Sequence, residues 1–123
     1  MGDGGAAMIE LLDAWDSGEI PDRVAVKSAV KATLAALVDV APGRSVEVRV
    51  PPYAAVQAVG GTTHRRGTPP AVVECDARTW LELATGRLDW AVAVSDGRVR
   101  ASGERSDLSA YLPLPAPAPE PKP

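Results

Sequence analysis

Residues 76–112 carry the densest series of local folding signals in this chain. Asp76 is placed to cap a helix, and the apolar residues that follow it recur at helical spacing. Gly86 allows the left-handed backbone with which such a helix ends. The next signals are a second helical segment over 88–94, a turn at Asp96-Gly97 and a strand over 99–102. The segment therefore predicts two short helices, a turn and a strand, in that order.

The preceding residues predict a longer helix and further strands. Apolar residues at spacings of three and four predict helices over 8–16 and 22–40, and Pro21 is placed where a helix favours its first residue. Alternating or apolar runs predict strands over 45–50, 53–59, 62–66 and 71–75. With the strand over 99–102, these make five candidate strands. We expect a mixed α/β fold in which a five-stranded, mostly antiparallel sheet is covered on one face by helices.

The order of these signals resembles a known family. The pattern D-x(4)-L-x-L-x-x-G-x-L begins at Asp76, and D-G-x-V-x-x-x-G begins at Asp96. This order is similar to the C-terminal half of sterol carrier protein type 2-like domains. Residues 44–59 and 66–76 also fit the bacterial sterol carrier orthologue group, so the resemblance covers about residues 21–114. It implies a lipid or fatty acyl chain held between sheet and helices. The chain departs from better-studied members in its lack of Phe, its many alanines and an added acidic N-terminal helix.

Composition divides the chain into three parts. Residues 1–20 form an acidic helical extension, residues 21–112 the sterol carrier-like domain, and residues 113–123 a Pro-rich tail that contains six prolines. Such a tail cannot pair in a sheet or continue a helix, so we expect it to be extended and unstructured.

The charge distribution limits the partners that the chain is expected to bind. Residues 1–22 contain six acids and no Lys or Arg, whereas the remainder has 13 basic and 10 acidic residues. The acidic segment is either a solvated helix face or a segment that docks on basic residues of the chain. The basic residues considered for such docking are Arg44, Arg49, Arg65 and Arg66. A pI near 5.1 without a basic stripe argues against nucleic-acid binding.

The N-terminal residues also lead to an expectation about localisation. They lack a basic region followed by a long apolar run, so the sequence predicts neither a signal peptide nor a membrane span. The single cysteine, Cys75, rules out an intrachain disulfide. We expect a cytoplasmic protein.

Catalytic chemistry has little support in the sequence. His64 lies in a polar hairpin, and Cys75 lies in an apolar strand where a thiol stays protonated, so a His64–Cys75 dyad is disfavoured. Glu74 and Asp76 are better explained as an outward strand residue and a helix cap. No metal-binding spacing or phosphate-binding loop is present. The sequence predicts a non-enzymatic protein with no cofactor and no metal.

Apolar surface is the remaining functional feature. Two helices bring Trp80, Leu83, Trp90 and Val94 over a sheet that offers Val46, Val48, Val56 and Val72. These residues either line a cavity or fill a closed core. Tyr53 and Tyr111 are the polar ends of such a cavity. The predicted ligand-binding residues are Trp80, Leu83, Trp90, Val94, Val56, Tyr53 and Tyr111.

Two classes of function remain open at this point. The preferred one is a binding or carrier module for an apolar small molecule, such as a lipid, fatty acyl or sterol-like molecule. The alternative is a protein-interaction or regulatory domain with a filled core and no ligand, in which alanines allow close packing of helix on sheet. An accessory domain that acts beside a separate enzyme is a variant of this alternative.

Overall fold

Four helices and four strands are formed by the residues that the structure describes. The structure is a computed structural model, and it describes residues 3–61, 71–103 and 105–115. The elements in chain order are α1 (Asp3–Asp16), α2 (Arg23–Val40), β1 (Val46–Val50), β2 (Ala54–Ala58), β3 (Ala71–Cys75), α3 (Ala77–Thr85), α4 (Trp90–Ser95), β4 (Val99–Ser102) and a 3-10 turn at Ser109–Tyr111.

The four strands form one mixed sheet with the order β2-β1-β3-β4. The outer pairs β1–β2 and β3–β4 are antiparallel, whereas the central pair β1–β3 is parallel. The prediction of a mostly antiparallel sheet in a mixed α/β fold is therefore confirmed. The prediction of five strands is wrong for the described chain, which forms four. The remaining candidate strand, over 62–66, lies outside the described residues.

The two faces of the sheet have different chemistry because side chains alternate along each strand. Val48 of β1 is in register with Val56 of β2 and Val73 of β3, and this row faces the core. The opposite face carries charged side chains in exposed or partly exposed positions. These are Glu47, Arg49, Glu74 and Arg100.

One prediction for β3 is wrong. Val72 was expected among the residues that face the helices, and Glu74 was expected on the outward face. Residues two apart share a face of a strand, so the two expectations conflict. In the structure Val72 is in register with Glu47 and Ser102 on the charged face, and Ala71, Val73 and Cys75 are buried.

The long helix α2 begins and ends close to its predicted limits. Asp22 is its N-cap, and the Asp22 carboxylate accepts a hydrogen bond from the Ala25 amide at 3.2 Å. Its buried stripe consists of Val26, Val30, Leu34 and Leu37. Since this stripe recurs every three or four residues, α2 lays one apolar face on the core and packs against β2.

Helix α3 begins and ends as its flanking residues predict. Asp76 Oδ1 accepts a hydrogen bond from the Thr79 amide at 2.7 Å, and Gly86 adopts a left-handed conformation with φ of 84° at the C-terminus. The helix is buried on almost all sides, including Thr79 and Glu82. This burial follows from its position, because α3 packs against both α2 and α1.

Candidate functional site

The candidate site is the apolar layer between the sheet and the helices. Valines from β1 and β3 face leucines of α2 and the inward residues of α3 in one contiguous cluster of buried side chains. The members that are almost completely inaccessible to solvent include Val46, Val48, Val50, Val73, Leu34, Leu37, Trp80 and Leu83. The layer is closed around these side chains.

Complete burial and a hydrogen bond fix the position of Trp80 in this layer. Its side chain is 0 % exposed, and its indole Nε1 donates a hydrogen bond to Thr33 Oγ1 at 2.8 Å. The Thr33 hydroxyl in turn donates to the Ala29 carbonyl of α2 at 2.7 Å. Because both polar groups are satisfied, the burial of the indole N–H carries little penalty. Trp80 therefore fixes α3 against α2.

The predicted ligand-binding residues divide into three groups in the structure. Trp80, Leu83 and Trp90 are buried members of the apolar cluster. Tyr53, Val56 and Tyr111 are half-buried and pack against its rim, and Val94 on α4 is 41 % exposed. The structure thus brings six of the seven into or against one cluster, and Val94 lies apart from it.

Thr33 was not predicted, although the sequence contains a signal for it. Thr33 follows Val30 by three residues and precedes Leu37 by four, so it falls on the buried face of α2. A hydroxyl on an apolar face needs a buried partner, and tryptophan is a largely apolar side chain that carries one N–H donor.

Two surface pockets lie near this layer. One has a volume of about 250 Å³ and is lined by Glu74, Asp76, Arg98 and Arg100 at the carboxyl ends of β1 and β3. The other has a volume of about 260 Å³ and lies at the start of α2. Tyr53 lines the second pocket, and neither pocket is lined by any other predicted ligand-binding residue.

The single thiol is unsuited to nucleophilic chemistry. Burial raises the pKa of Cys75 to about 12, with a further contribution from the charge of Asp76. The thiol is then protonated at neutral pH, and the thiolate is the reactive form. His64, the other half of the disfavoured dyad, lies outside the described residues. Within 3–61, 71–103 and 105–115, no cluster of three or more His, Cys, Asp or Glu side chains is placed to hold a metal ion.

The acidic N-terminal segment docks on the domain, but on residues other than those expected. Leu11 and Leu12 of α1 are buried against the helices. Arg87 reaches Asp13 at 3.0 Å and Asp16 at 3.1 Å, and Arg78 reaches Asp16 at 2.9 Å. Docking on Arg44 or Arg49 is therefore wrong, and Arg65 and Arg66 lie outside the described residues. The apolar face of α1 decides where it docks, and the flanking acids pair with the arginines nearest to that place.

The ion pairs continue from α1 across α3 to the start of β4. Glu82 is 9 % exposed and lies between Arg78 Nε at 3.3 Å and Arg98 Nη2 at 2.5 Å. Arg98 also donates a hydrogen bond to Thr79 Oγ1 at 3.1 Å. The network therefore joins three elements that are distant in sequence. Its outer part, Asp13, Asp16, Arg78 and Arg87, is called the α1 latch below.

The α1 latch should contribute a small and salt-sensitive part of the stability. We expect Arg87→Gln to lower the free energy of unfolding by about 0.5–1 kcal/mol at low ionic strength, because its acidic partners are largely exposed. High salt should reduce this difference by screening. Urea unfolding at low and high NaCl measures both effects. Lys31→Gln, which removes an exposed cation of α2, is the control, and an equal loss in the two variants would contradict a specific latch.

Comparison with known protein families places this chain in one of them. The family model described as bacterial SCP ortholog matches residues 22–114. The chain belongs to this family. The resemblance to sterol carrier proteins that the order of caps and turns indicated is thereby confirmed. In this member of the bacterial SCP ortholog family, α1 lies before the matched segment. The comparison with curated proteins finds no match. No helix among the described residues combines the length and the apolar character needed to cross a membrane.

Proposed function

We propose that this chain is a non-enzymatic carrier for an apolar small molecule, such as a lipid, a fatty acyl chain or a sterol-like molecule. Membership of the bacterial SCP ortholog family supports the class of function. The continuous apolar layer between the sheet and the helices α2 and α3 supports the proposed location of the ligand. Burial of a hydrocarbon chain there gives affinity of roughly 25 cal/mol per Å² of apolar surface, with little directional selection.

The rim of the layer at β2 is the proposed entrance. Among the described strands, β2 lies at the edge of the sheet, and Val56 on its inner face is only half-buried. Tyr53 precedes this strand and packs against the same rim, so its hydroxyl is placed to meet the polar end of a ligand whose chain enters past Val56. Trp80 and Leu83 would then contact the far end of that chain. Because the layer is closed without ligand, loading requires these side chains to move aside.

A second candidate is supported by the packing of Trp80. Its complete burial and its hydrogen bond to Thr33 are typical of a residue that fills a core. Ala58 of β2 belongs to the apolar cluster, Ala54 packs against it, and β2 packs against α2, so small side chains allow helix and sheet to lie close together. A protein-interaction domain with a filled core and no ligand would have these same features.

Titration of delipidated protein with a fluorescent fatty acid separates the two candidates. Energy transfer from Trp80 and Trp90 is recorded in a Trp15→Phe background, so that the donors lie in the apolar layer. The carrier function predicts saturable transfer near one ligand per chain. Native mass spectrometry of protein from its own cells should then show a co-purifying apolar molecule. A ligand-free mass and no saturable transfer would exclude the carrier function and favour the filled core.

A matched pair of variants tests the proposed entrance. Val56→Trp should weaken fatty-acid binding about tenfold or more, because the indole occupies volume at the entrance on the inner face. Ala55→Trp places the same side chain one residue away on the outer face and should leave the affinity unchanged. Both proteins are compared by circular dichroism to confirm that they fold. Equal affinities in the two folded variants would place the ligand elsewhere.

A further inference from the structure

The two arginines of the α1 latch lie at the two ends of α3. Arg78 is the second residue of α3, and Arg87 follows its last residue, Thr85, by two positions. A single carboxylate joins the two arginines. Asp16 Oδ1 pairs with Arg78 Nη2 at 2.9 Å, and Asp16 Oδ2 pairs with Arg87 Nη1 at 3.1 Å. Asp16, the last residue of α1, therefore holds α3 at both ends.

The sequence of α1 does not favour a helix in isolation. The helix has 14 residues, and Gly4 and Gly5 lie in its first turn. Glycine lowers helix stability, and isolated helices of this length are marginal in water. Asp13 and Asp16 lie in the last turn, where a negative charge opposes the helix dipole. Because the arginines at the ends of α3 offset these charges, we expect α1 to unwind when it leaves α3.

Among the helices that contact α3, α1 is the one that can yield most easily. α3 packs against both α2 and α1, and α2 is held on the sheet through β2. α1 is held by the buried Leu11 and Leu12 and by ion pairs whose acids, Asp13 and Asp16, are more than half exposed. Exposed ion pairs contribute little each. The docking of α1 is therefore the contact of α3 that costs least to break.

Entry of a ligand requires α3 to shift. The apolar layer is closed around Trp80 and Leu83, and both side chains belong to α3. Close-packed side chains make room only when the helix that carries them moves. Such a shift displaces Arg78 and Arg87 relative to Asp16. The α1 latch has to open for this movement.

We propose that α1 is a gate of the apolar layer, and that α3 admits an apolar ligand only after Asp16 has released Arg78 and Arg87. This regulation rests on the carrier function proposed above. The undocked state is a minor state of the protein, so the rate of loading is proportional to its population. Any change that weakens the α1 latch raises this population and speeds loading.

Stopped-flow mixing of the delipidated full chain with a fluorescent fatty acid measures the rate of loading. The signal is the emission of the fatty acid in an apolar environment, so that Trp15 of α1 stays in place. Asp16→Asn keeps the shape of the side chain and removes the charge from two exposed ion pairs. We expect loading about three- to tenfold faster in this variant at low ionic strength. An unchanged rate would overturn the gate.

Glu10→Gln is the matched control. It neutralises an exposed acid of α1 that forms no ion pair within residues 3–61, 71–103 and 105–115. This variant should load at the wild-type rate. High salt should speed loading of the wild type by screening the α1 latch, and it should affect Asp16→Asn much less. Equal acceleration by the two substitutions, or an equal effect of salt on the wild type and Asp16→Asn, would exclude the role of Asp16.

Hydrogen exchange of the ligand-free protein tests the gate without any fatty acid. Asp16→Asn should speed the exchange of amides in α1 and α3 about three- to tenfold and leave β1 and β3 nearly unchanged. An acid at the C-terminus of a helix is locally unfavourable, so a purely local role of Asp16 predicts slower exchange in α1. Slower exchange in α1, or faster exchange confined to α1, would contradict the gate.

The two measurements separate the gate from the carrier function. Faster exchange in both α1 and α3 without fatty-acid uptake would remove the carrier function and leave the hold of Asp16 on α3. Saturable uptake at the same rate in the wild type and Asp16→Asn would remove the gate and leave the carrier function.

Discussion

Replacing Trp80 with alanine should lower the free energy of unfolding by about 3–5 kcal/mol. Trp80 is the largest of the fully buried side chains, so its truncation removes the most apolar contact and leaves the largest void. The Thr33 hydroxyl also loses its indole donor. Urea unfolding measures the loss, and an unchanged dependence on urea concentration would show that the unfolded state is the same.

Trp15→Ala is the matched control for this prediction. Trp15 has the same side chain, but it is half-buried on α1 and packs only against the edge of the cluster. We expect a loss of about 1 kcal/mol in this variant. If Trp80→Ala cost no more than Trp15→Ala, Trp80 would border empty space rather than fill the core, and the closed apolar layer would be contradicted.

Gly43→Ala should lower the free energy of unfolding by about 3 kcal/mol, because strain and overpacking act together. Gly43 has φ of 147°, and a Cβ atom at this position would collide with the backbone of Val59 and Gly60. The two chain segments approach closely here because hydrogen bonds join them. The Val59 amide donates to the Ala41 carbonyl, and the Ser45 amide donates to the Val59 carbonyl.

Gly18→Ala separates backbone strain from collision. Gly18 also has a positive φ, of 82°, but no atom lies within 4 Å of the position that its Cβ would take. We expect this variant to lose only about 1 kcal/mol, the cost of a left-handed backbone alone. A loss at Gly43 no larger than that at Gly18 would mean that the segments around Val59 can move apart freely.

The parts of the fold that the sequence predicted are those with local causes. Asp76 accepts a hydrogen bond from the Thr79 amide three residues ahead, as predicted, and such a cap depends only on neighbouring residues. Asp22 caps α2 in the same way, so the expectation that Pro21 is the first residue of this helix is wrong. The alternation of 46–50 and the apolar spacing of α2 are equally local. Gly43 shows where local reasoning fails, because a glycine shortly after a helix is typical of a left-handed cap. The cap is Ala41, and Gly43 is required by a contact with residues that follow β2.

The order of the strands and the burial of Trp80 depend on contacts between residues that are distant in sequence. Nothing near β1 specifies that it lies beside β3 in parallel, so the central pair of the sheet was not predicted. The spacing of Trp80 and Leu83 indicated an apolar layer. It did not show that Thr33 closes the layer around Trp80, because that contact joins residues 47 positions apart. The acids of α1 were likewise matched to the wrong arginines, since their partners lie far along the chain.

The short connector between α1 and α2 strengthens the docking of α1 on the domain. Residues 17–22 tether α1 to the helices that it covers, and a short tether gives a segment an effective concentration on the order of millimolar. Exposed ion pairs and two buried leucines are then enough to keep α1 in place. A competing helix or lipid present at micromolar concentration would have to bind the covered surface about a thousandfold more tightly than α1 does. A helix or lipid that binds the covered surface weakly therefore cannot displace α1, whereas a tight and specific ligand can.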